Sequence, residues 1–310
     1  MTEKNSSFLY NQGVDFYDSG RFSEALESFK EALKLDEDDP DLWNGKACAL
    51  RELDRYEEAV AAYKKAVELK DDFAEAWSGM GNALDETGKT IEALEMFEKA
   101  LSIDENCSDA WNGRANIFNS LERNEEALQS FDKAIELDDE DDYAWSGRGN
   151  VLDDMGRPTE ALEAFDKALS IDPENVFSWN GRGNALHDLG RYKEAVEAFD
   201  KAISLDAEDK YAWHGRGNSF YTQEMFTEAM ESYDKALSLD NDFASSWYGK
   251  GNIYRALGML LDALEAYERS LALNDEFAKA WYGKGCVLRE SGREDEAVQA
   301  FKKAVSLEEI

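Results

Sequence analysis

The chain predicts an all-α fold, a solenoid of antiparallel helix pairs, and three observations predict it. Its eight tryptophans, Trp43, Trp77, Trp111, Trp145, Trp179, Trp213, Trp247 and Trp281, follow one another at intervals of 34 residues. Within each interval, apolar or small residues recur at spacings of 3, 4 and 7, the pattern of a helical face. Between two such faces stands a glycine at a fixed place: Gly20, Gly88, Gly156, Gly190, Gly258 and Gly292. A left-handed helix end favours glycine there. A constant period of this size means stacked supersecondary units rather than one globular core.

The phase divides the chain into a leader, residues 1–5, and nine units without insertion: 6–39, 40–73, 74–107, 108–141, 142–175, 176–209, 210–243, 244–277 and 278–310. Each unit is numbered from 1 to 34, with tryptophan at position 4. The first helix carries its apolar stripe at positions 4, 8 and 11, the second at 20, 24 and 27. In the fifth unit these are Trp145, Gly149 and Leu152, then Ala161, Phe165 and Ala168. Pro158 opens a second helix, where a missing N–H costs little. Acidic turns such as Asp138 to Asp142 cap the next helix and favour its N-terminus.

These residues give the chain its likeness. Tryptophan at 4, glycine or alanine at 8, Leu/Phe/Tyr at 11, alanine at 20, Phe/Tyr at 24 and alanine at 27 resemble the tetratricopeptide repeat, over residues 6–310. Departures are small. Leu9 replaces tryptophan in the first unit, Ser270 stands at position 27 of the eighth, and Pro173 alone fills position 32. Position 7, usually leucine, is mostly arginine or lysine. The resemblance implies a right-handed superhelix whose first helices line a concave groove, with peptide segments of other proteins as ligands.

Composition narrows the function classes. Asp and Glu number 68 against 34 Lys and Arg, a net charge of −34. Such a surface repels phosphate backbones and anionic headgroups, so nucleic acid and membrane are poor partners. Cys48, Cys107 and Cys286 are scattered and odd in number, which argues against a disulfide framework or a zinc site. The N-terminus lacks the apolar run of a signal peptide, and no apolar segment approaches a membrane span. A cytoplasmic location is the expectation.

Position 7 reads Lys46, Met80, Arg114, Arg148, Arg182, Arg216, Lys250, Lys284. Sixteen residues earlier stand Glu98 before Arg114, Asp132 before Arg148, Asp166 before Arg182 and Asp200 before Arg216, then Asp234 before Lys250 and Glu268 before Lys284. This basic ladder therefore predicts ion pairs stapling neighbouring units rather than an anion site. Position 9 reads Asn82, Asn116, Asn150, Asn184, Asn218 and Asn252. At 100° per residue, positions 2, 5, 6, 9, 12 and 13 share the face opposite the tryptophan stripe. An amide there offers a donor and an acceptor to any peptide backbone. Glycine at position 6, from Gly45 to Gly283, is expected to form a bare trough beside the asparagines. Acids and small polar residues mark this face early in the chain: Asp41, Glu75 and Asp109, with Asn44, Ser78 and Asn112. Aromatics collect later: Tyr143, Phe177, Tyr211, His214, Tyr221, Tyr248 and Tyr282, followed by Arg255, Lys279 and Arg289. Exposed aromatics over a polar ladder suit an extended peptide.

Other chemistries fit poorly. Relatives that grip a terminal carboxylate place lysine at position 5, which no unit here has. His187 and His214 lack a serine–acid or cysteine arrangement. The recurrent Gly-Arg-Gly-Asn lies inside a helix and follows no strand, so it is no phosphate loop. The acidic turns lack the glycine and bidentate glutamate of a calcium loop. No catalytic residue, metal or cofactor is expected. The expected function is a non-catalytic scaffold that binds a protein or peptide segment in its groove. Val298, Phe301 and Val305 leave an apolar face in the last unit, before Leu307-Glu308-Glu309-Ile310. End-to-end self-association through uncapped repeats is therefore an alternative, as is a regulatory region of a larger enzyme.

Overall fold

The computed structural model describes residues 5–308; the first four residues of the leader and the last two of the ninth unit lie outside it. Among the described residues there are eighteen helices and no strand. They fall in two compact bodies, residues 1–155 and 156–310. The first contains α1 (Ser6–Asp18), α2 (Phe22–Leu33), α3 (Pro40–Arg51), α4 (Tyr56–Leu69), α5 (Ala74–Glu86), α6 (Thr90–Ile103), α7 (Ser108–Ser120), α8 (Asn124–Leu137) and α9 (Asp142–Asp154). The second contains α10 (Pro158–Ile171), α11 (Val176–Asp188), α12 (Tyr192–Leu205), α13 (Lys210–Thr222), α14 (Phe226–Leu239), α15 (Ala244–Ala256), α16 (Leu260–Leu273), α17 (Ala278–Glu290) and α18 (Glu294–Glu308). Within each body consecutive helices pack on one another, and each first helix also packs on the first helix of the neighbouring pair, as a solenoid requires.

Local chemistry sets the ends of these helices. Asp39, Asp141, Asn175 and Asp209 accept backbone N–H bonds of the helix that follows, at 2.8–3.0 Å. Between the helices of a pair, the six position-15 glycines all have positive φ, from 68° to 77°. Asp54, Glu122 and Glu224 fill the same position elsewhere and take φ of 57–60°. The turn thus demands a left-handed residue whichever side chain is present, at a cost of roughly 1–2 kcal/mol where it is not glycine.

The core is a stack of rings clasped by glycines. Phe29, Phe97, Phe131, Phe165 and Phe199, with Tyr63, Tyr233 and Tyr267, are all buried at position 24. A methyl group at position-6 Gly45 would sit 2.7 Å from the Phe29 ring, and one at Gly283 2.7 Å from Tyr267. The position-8 glycines, such as Gly81 and Gly251, press on the ring of their own unit in the same way. The bare strip expected in the groove at position 6 is therefore occupied from behind, because the preceding unit's ring needs that space.

Tryptophan does something the periodicity does not reveal. Each of the eight rings is only partly buried. Each indole Nε1–H donates to the backbone carbonyl six residues earlier, from Trp281 to Asp275 at 2.7 Å and from Trp145 to Asp139 at 3.1 Å. The ring therefore clips the acidic inter-unit turn to the helix that follows, worth about 1 kcal/mol beyond its burial. The position-7 cations lie over these rings, Lys46 on Trp43 at 4.5 Å and Arg182 on Trp179 at 5.6 Å. Five of the six expected staples form: Arg148–Asp132, Arg182–Asp166 and Arg216–Asp200 at 2.7 Å, Lys250–Asp234 at 2.6 Å and Lys284–Glu268 at 2.9 Å. Arg114 differs. Its guanidinium lies over Trp111 and Phe118, and its Nε has no hydrogen-bond partner.

Candidate binding groove

In residues 1–155 the first helices line an open groove of about 750 Å³. Asn82, Asp85 and Glu86 of α5 and Asp109, Asn112 and Asn116 of α7 form much of its wall, with Tyr143 of α9 and Arg51, Glu52, Asp54 and Tyr56 beyond. Phe97 and Gly113 supply apolar floor. Positions 12 and 13 lie on the face defined by the helical repeat, yet Asp85 and Glu86 stand out only once the groove is seen.

The polar groups here fall into two sets. Asn112 Nδ2 donates to Asp141 Oδ2 at 2.7 Å and Asn116 Nδ2 to the Tyr143 hydroxyl at 2.6 Å. Asn150 reaches Asp154 at 3.4 Å, a weak bond. Asn82 has no side-chain partner among the described residues. Arg51 is held by Glu52 at 2.8 Å, and the Tyr56 hydroxyl donates to Asp54 at 2.7 Å. Burial pushes the Asp85 carboxyl above its ordinary pKa. Burial first, then the charges of Asp141, Asp85 and Glu86, raise the pKa of Tyr143, although Asn116 opposes them.

In residues 156–310 the equivalent face is built differently. Asn184 is exposed and without a side-chain partner among the described residues. Asn218 and Asn252 are engaged: the Tyr233 hydroxyl donates to Asn218 Oδ1 and the Tyr267 hydroxyl to Asn252 Oδ1, each at 2.7 Å. Asn218 Nδ2 continues to His214 Nε2 at 3.1 Å, and His214 Nδ1 meets Ser246 Oγ at 3.0 Å. That order fixes the tautomer with the proton on Nδ1. Burial pushes His214 down to about 4, so its imidazole is neutral at ordinary pH. His187 is also lowered by burial and bonds Ser219 at 3.1 Å.

The aromatics sort by exposure. Phe177, Tyr211 and Tyr282 are 55, 61 and 58 % exposed, as Tyr143 is at 54 % in the other body. Tyr221 and Tyr248 are half-buried, and Tyr248 lies 5.1 Å from Phe277. Tyr211 meets Phe243 at 5.5 Å and Tyr282 meets Phe301 at 5.4 Å. Of the three late cations, Arg255 pairs with Glu290 at 2.7 Å, Arg289 lies over Phe301 at 5.4 Å, and Lys279 is exposed. Which asparagine carbonyls accept a ring hydroxyl follows position 24. Where that ring is tyrosine its hydroxyl bonds position 9, including Tyr63 on Cys48 Sγ at 3.3 Å. Where it is phenylalanine, the asparagine carbonyl has no such donor.

Tetratricopeptide repeat models match residues 10–74, 146–210 and 248–309, residues 50–117 and residues 108–141, and a TPR repeat model matches 217–258. No curated protein matches the chain. Among solved structures, the APC/C hetero-tetramer Cut9-Hcn1 is similar over 97 % of this chain and 73 % of that one, with 16 % identity and a TM-score of 0.67. YrrB, described as a TPR protein with an unusual peptide-binding site, is 25 % identical over 62 % of this chain and 98 % of its own, with a TM-score of 0.51. MamA is 29 % identical over 52 % of this chain and 94 % of its own, with a TM-score of 0.44.

Proposed function

This chain belongs to the tetratricopeptide repeat family, and from that premise we propose that it is a non-catalytic scaffold holding an extended peptide segment of another protein. The observation that carries the proposal is the free amide of Asn82 and of Asn184, each on the open face of its body. Such amides pair with a peptide N–H and C=O whatever the peptide's side chains. Asn116 and Asn150 add weaker or shared positions, and Tyr143, Phe177, Tyr211 and Tyr282 add aromatic faces for side chains. Asn218 and His214 shape the wall, since their polar atoms already have partners, while Asn252 has its carbonyl engaged. Tyr221, Tyr248, Arg255, Lys279 and Arg289 border the same face in the later units. The likeness to YrrB supports a peptide as the ligand class.

Panning a random peptide library on the full chain tests this. Selected peptides are expected to bind the wild type and to lose about tenfold in affinity with Asn82→Ala/Asn184→Ala, roughly two net hydrogen bonds. A library without binders, or binders indifferent to both amides, sinks the groove proposal. One observation favours a second reading, association between copies: α18 presents an apolar groove of about 400 Å³ lined by Val298, Phe301 and Val305. Light scattering then shows mass growing with concentration, whereas a constant mass removes it.

A further inference from the structure

We propose that the groove of residues 51–143 takes a cationic segment, an extended stretch of another protein carrying several lysines or arginines. This rests on the groove reading and names its ligand. Six carboxylates line the groove, on Glu52, Asp54, Asp85, Glu86, Asp109 and Asp141, against the one cation of Arg51. Arg51 is already held by Glu52. No ion pair among the described residues reaches Asp85, Glu86 or Asp109, and the partners of Asp54 and Asp141 are neutral.

Several cations of the same body are paired away from the groove. Arg55 pairs with Glu58, Lys65 with Glu68, Arg123 with Glu126 and Lys133 with Glu136, all along second helices or at their starts. The groove is therefore left with unmet negative charge. Its effect is visible at the Tyr143 hydroxyl, whose pKa is raised after burial by Asp141, Asp85 and Glu86. A bound cation offsets that charge.

The lining also asks for donors. Asn112 Oδ1 is a buried acceptor without a hydrogen bond, beside the Asp141 carboxylate that takes its amide. The exposed Tyr143 ring offers a face for a guanidinium or the stem of a lysine. A single metal ion suits the arrangement badly. Among the described residues, no three His, Cys, Asp or Glu side chains gather closely enough to hold one. Charge spread along a trough matches charge spread along a strand-like peptide.

Fluorescence anisotropy on the full chain tests this with labelled twelve-residue peptides of alternating Ala-Lys, Ala-Gln and Ala-Glu. The lysine peptide is expected to bind at least about tenfold more tightly than the glutamine one, and the glutamate peptide not at all. Raising NaCl from about 50 to about 500 mM weakens the first. Asp85→Asn/Asp109→Asn lowers its affinity at least about tenfold, while Glu92→Gln/Glu95→Gln, which removes two exposed carboxylates of α6, changes it less than about twofold. Thermal melts of both variants report that the fold is kept. Equal losses in the two pairs, or equal binding of lysine and glutamine peptides, overturn the proposal, as does no binding. The two readings also separate. If Asn82→Ala/Asn116→Ala weakens lysine and glutamine peptides that bind alike, the groove survives without its charge preference. If only the Asp variants matter, backbone pairing falls and the cationic site stands.

Discussion

Residues 1–155 and residues 156–310 carry the same 34-residue phase and the same clasped rings, yet they present different chemistry on the open face. The first body has 39 Asp and Glu against 16 Lys and Arg, a net of −23; the second has 29 against 18, a net of −11. In the first, the groove asparagines stand beside phenylalanines and carboxylates. In the second, Asn218 and Asn252 are tied to Tyr233 and Tyr267. One oxygen atom per ring decides whether the asparagine carbonyl is bonded from behind. A solenoid can therefore vary its surface unit by unit while its core stays constant.

Acid should separate the two bodies most strongly. Both histidines, His187 and His214, lie in the second body, and burial lowers the pKa of each. For His214 the folded value is about 4 and the ordinary value 6.5. Between those values the unfolded chain binds the proton and the folded chain does not. Stability is thus complete above about pH 6.5 and is lost as pH falls towards 4, on the order of 3 kcal/mol. In the first body, Asp85 and Asp154 are raised by burial, so protonation relieves them as pH falls. Hydrogen exchange read by peptide, at neutral pH and near pH 4.5, should show the second body loosening first. His214→Gln should remove most of the difference. Equal loosening of the two bodies contradicts the comparison.

A smaller effect tests the engaged and free asparagines. Asn218→Ala leaves the Tyr233 hydroxyl buried without its acceptor and frees His214 Nε2, which should cost about 1–3 kcal/mol. Asn184→Ala removes an exposed amide with no partner and should stay within about 0.5 kcal/mol. Urea unfolding of both variants measures the gap. If they shift alike, the tyrosine hydroxyl is not what distinguishes the bodies.

How far sequence alone reaches is clear from these residues. The fold is legible because every unit repeats the same stripe of small and large residues, so phase multiplies a weak signal nine times. The left-handed turn is legible where it is glycine but hidden at Asp54, Glu122 and Glu224, where tertiary packing overrides local preference. The tryptophan clip is hidden because its acceptor is a backbone carbonyl, which carries no residue identity. The asparagine ladder is visible as a pattern, whereas which of its carbonyls are bonded depends on a hydroxyl fifteen residues away. Asp85 and Glu86 look like ordinary surface acids until the groove gathers them.

The smallest expected effect concerns the staples. Arg182–Asp166 in the second body has its ion pair at 2.7 Å, whereas Arg114 in the first lies over rings and forms none with Glu98 among the described residues. Both arginines share position 7, so the comparison isolates the ion pair from the packing of the arginine stem. Asp166→Asn should cost roughly 0–1 kcal/mol at low salt and nothing near 1 M salt, because the pair is partly exposed. Glu98→Gln should cost nothing at either salt. Arg114→Met should be tolerated or stabilising, since burial lowers the arginine's pKa and its Nε lacks a partner. Arg182→Met should lose both the pair and its contact over Trp179. A double-mutant cycle on Arg182 and Asp166 reads the coupling directly. A coupling of zero would leave the arginine ladder held by its stacking on tryptophan, with the carboxylates serving only solubility.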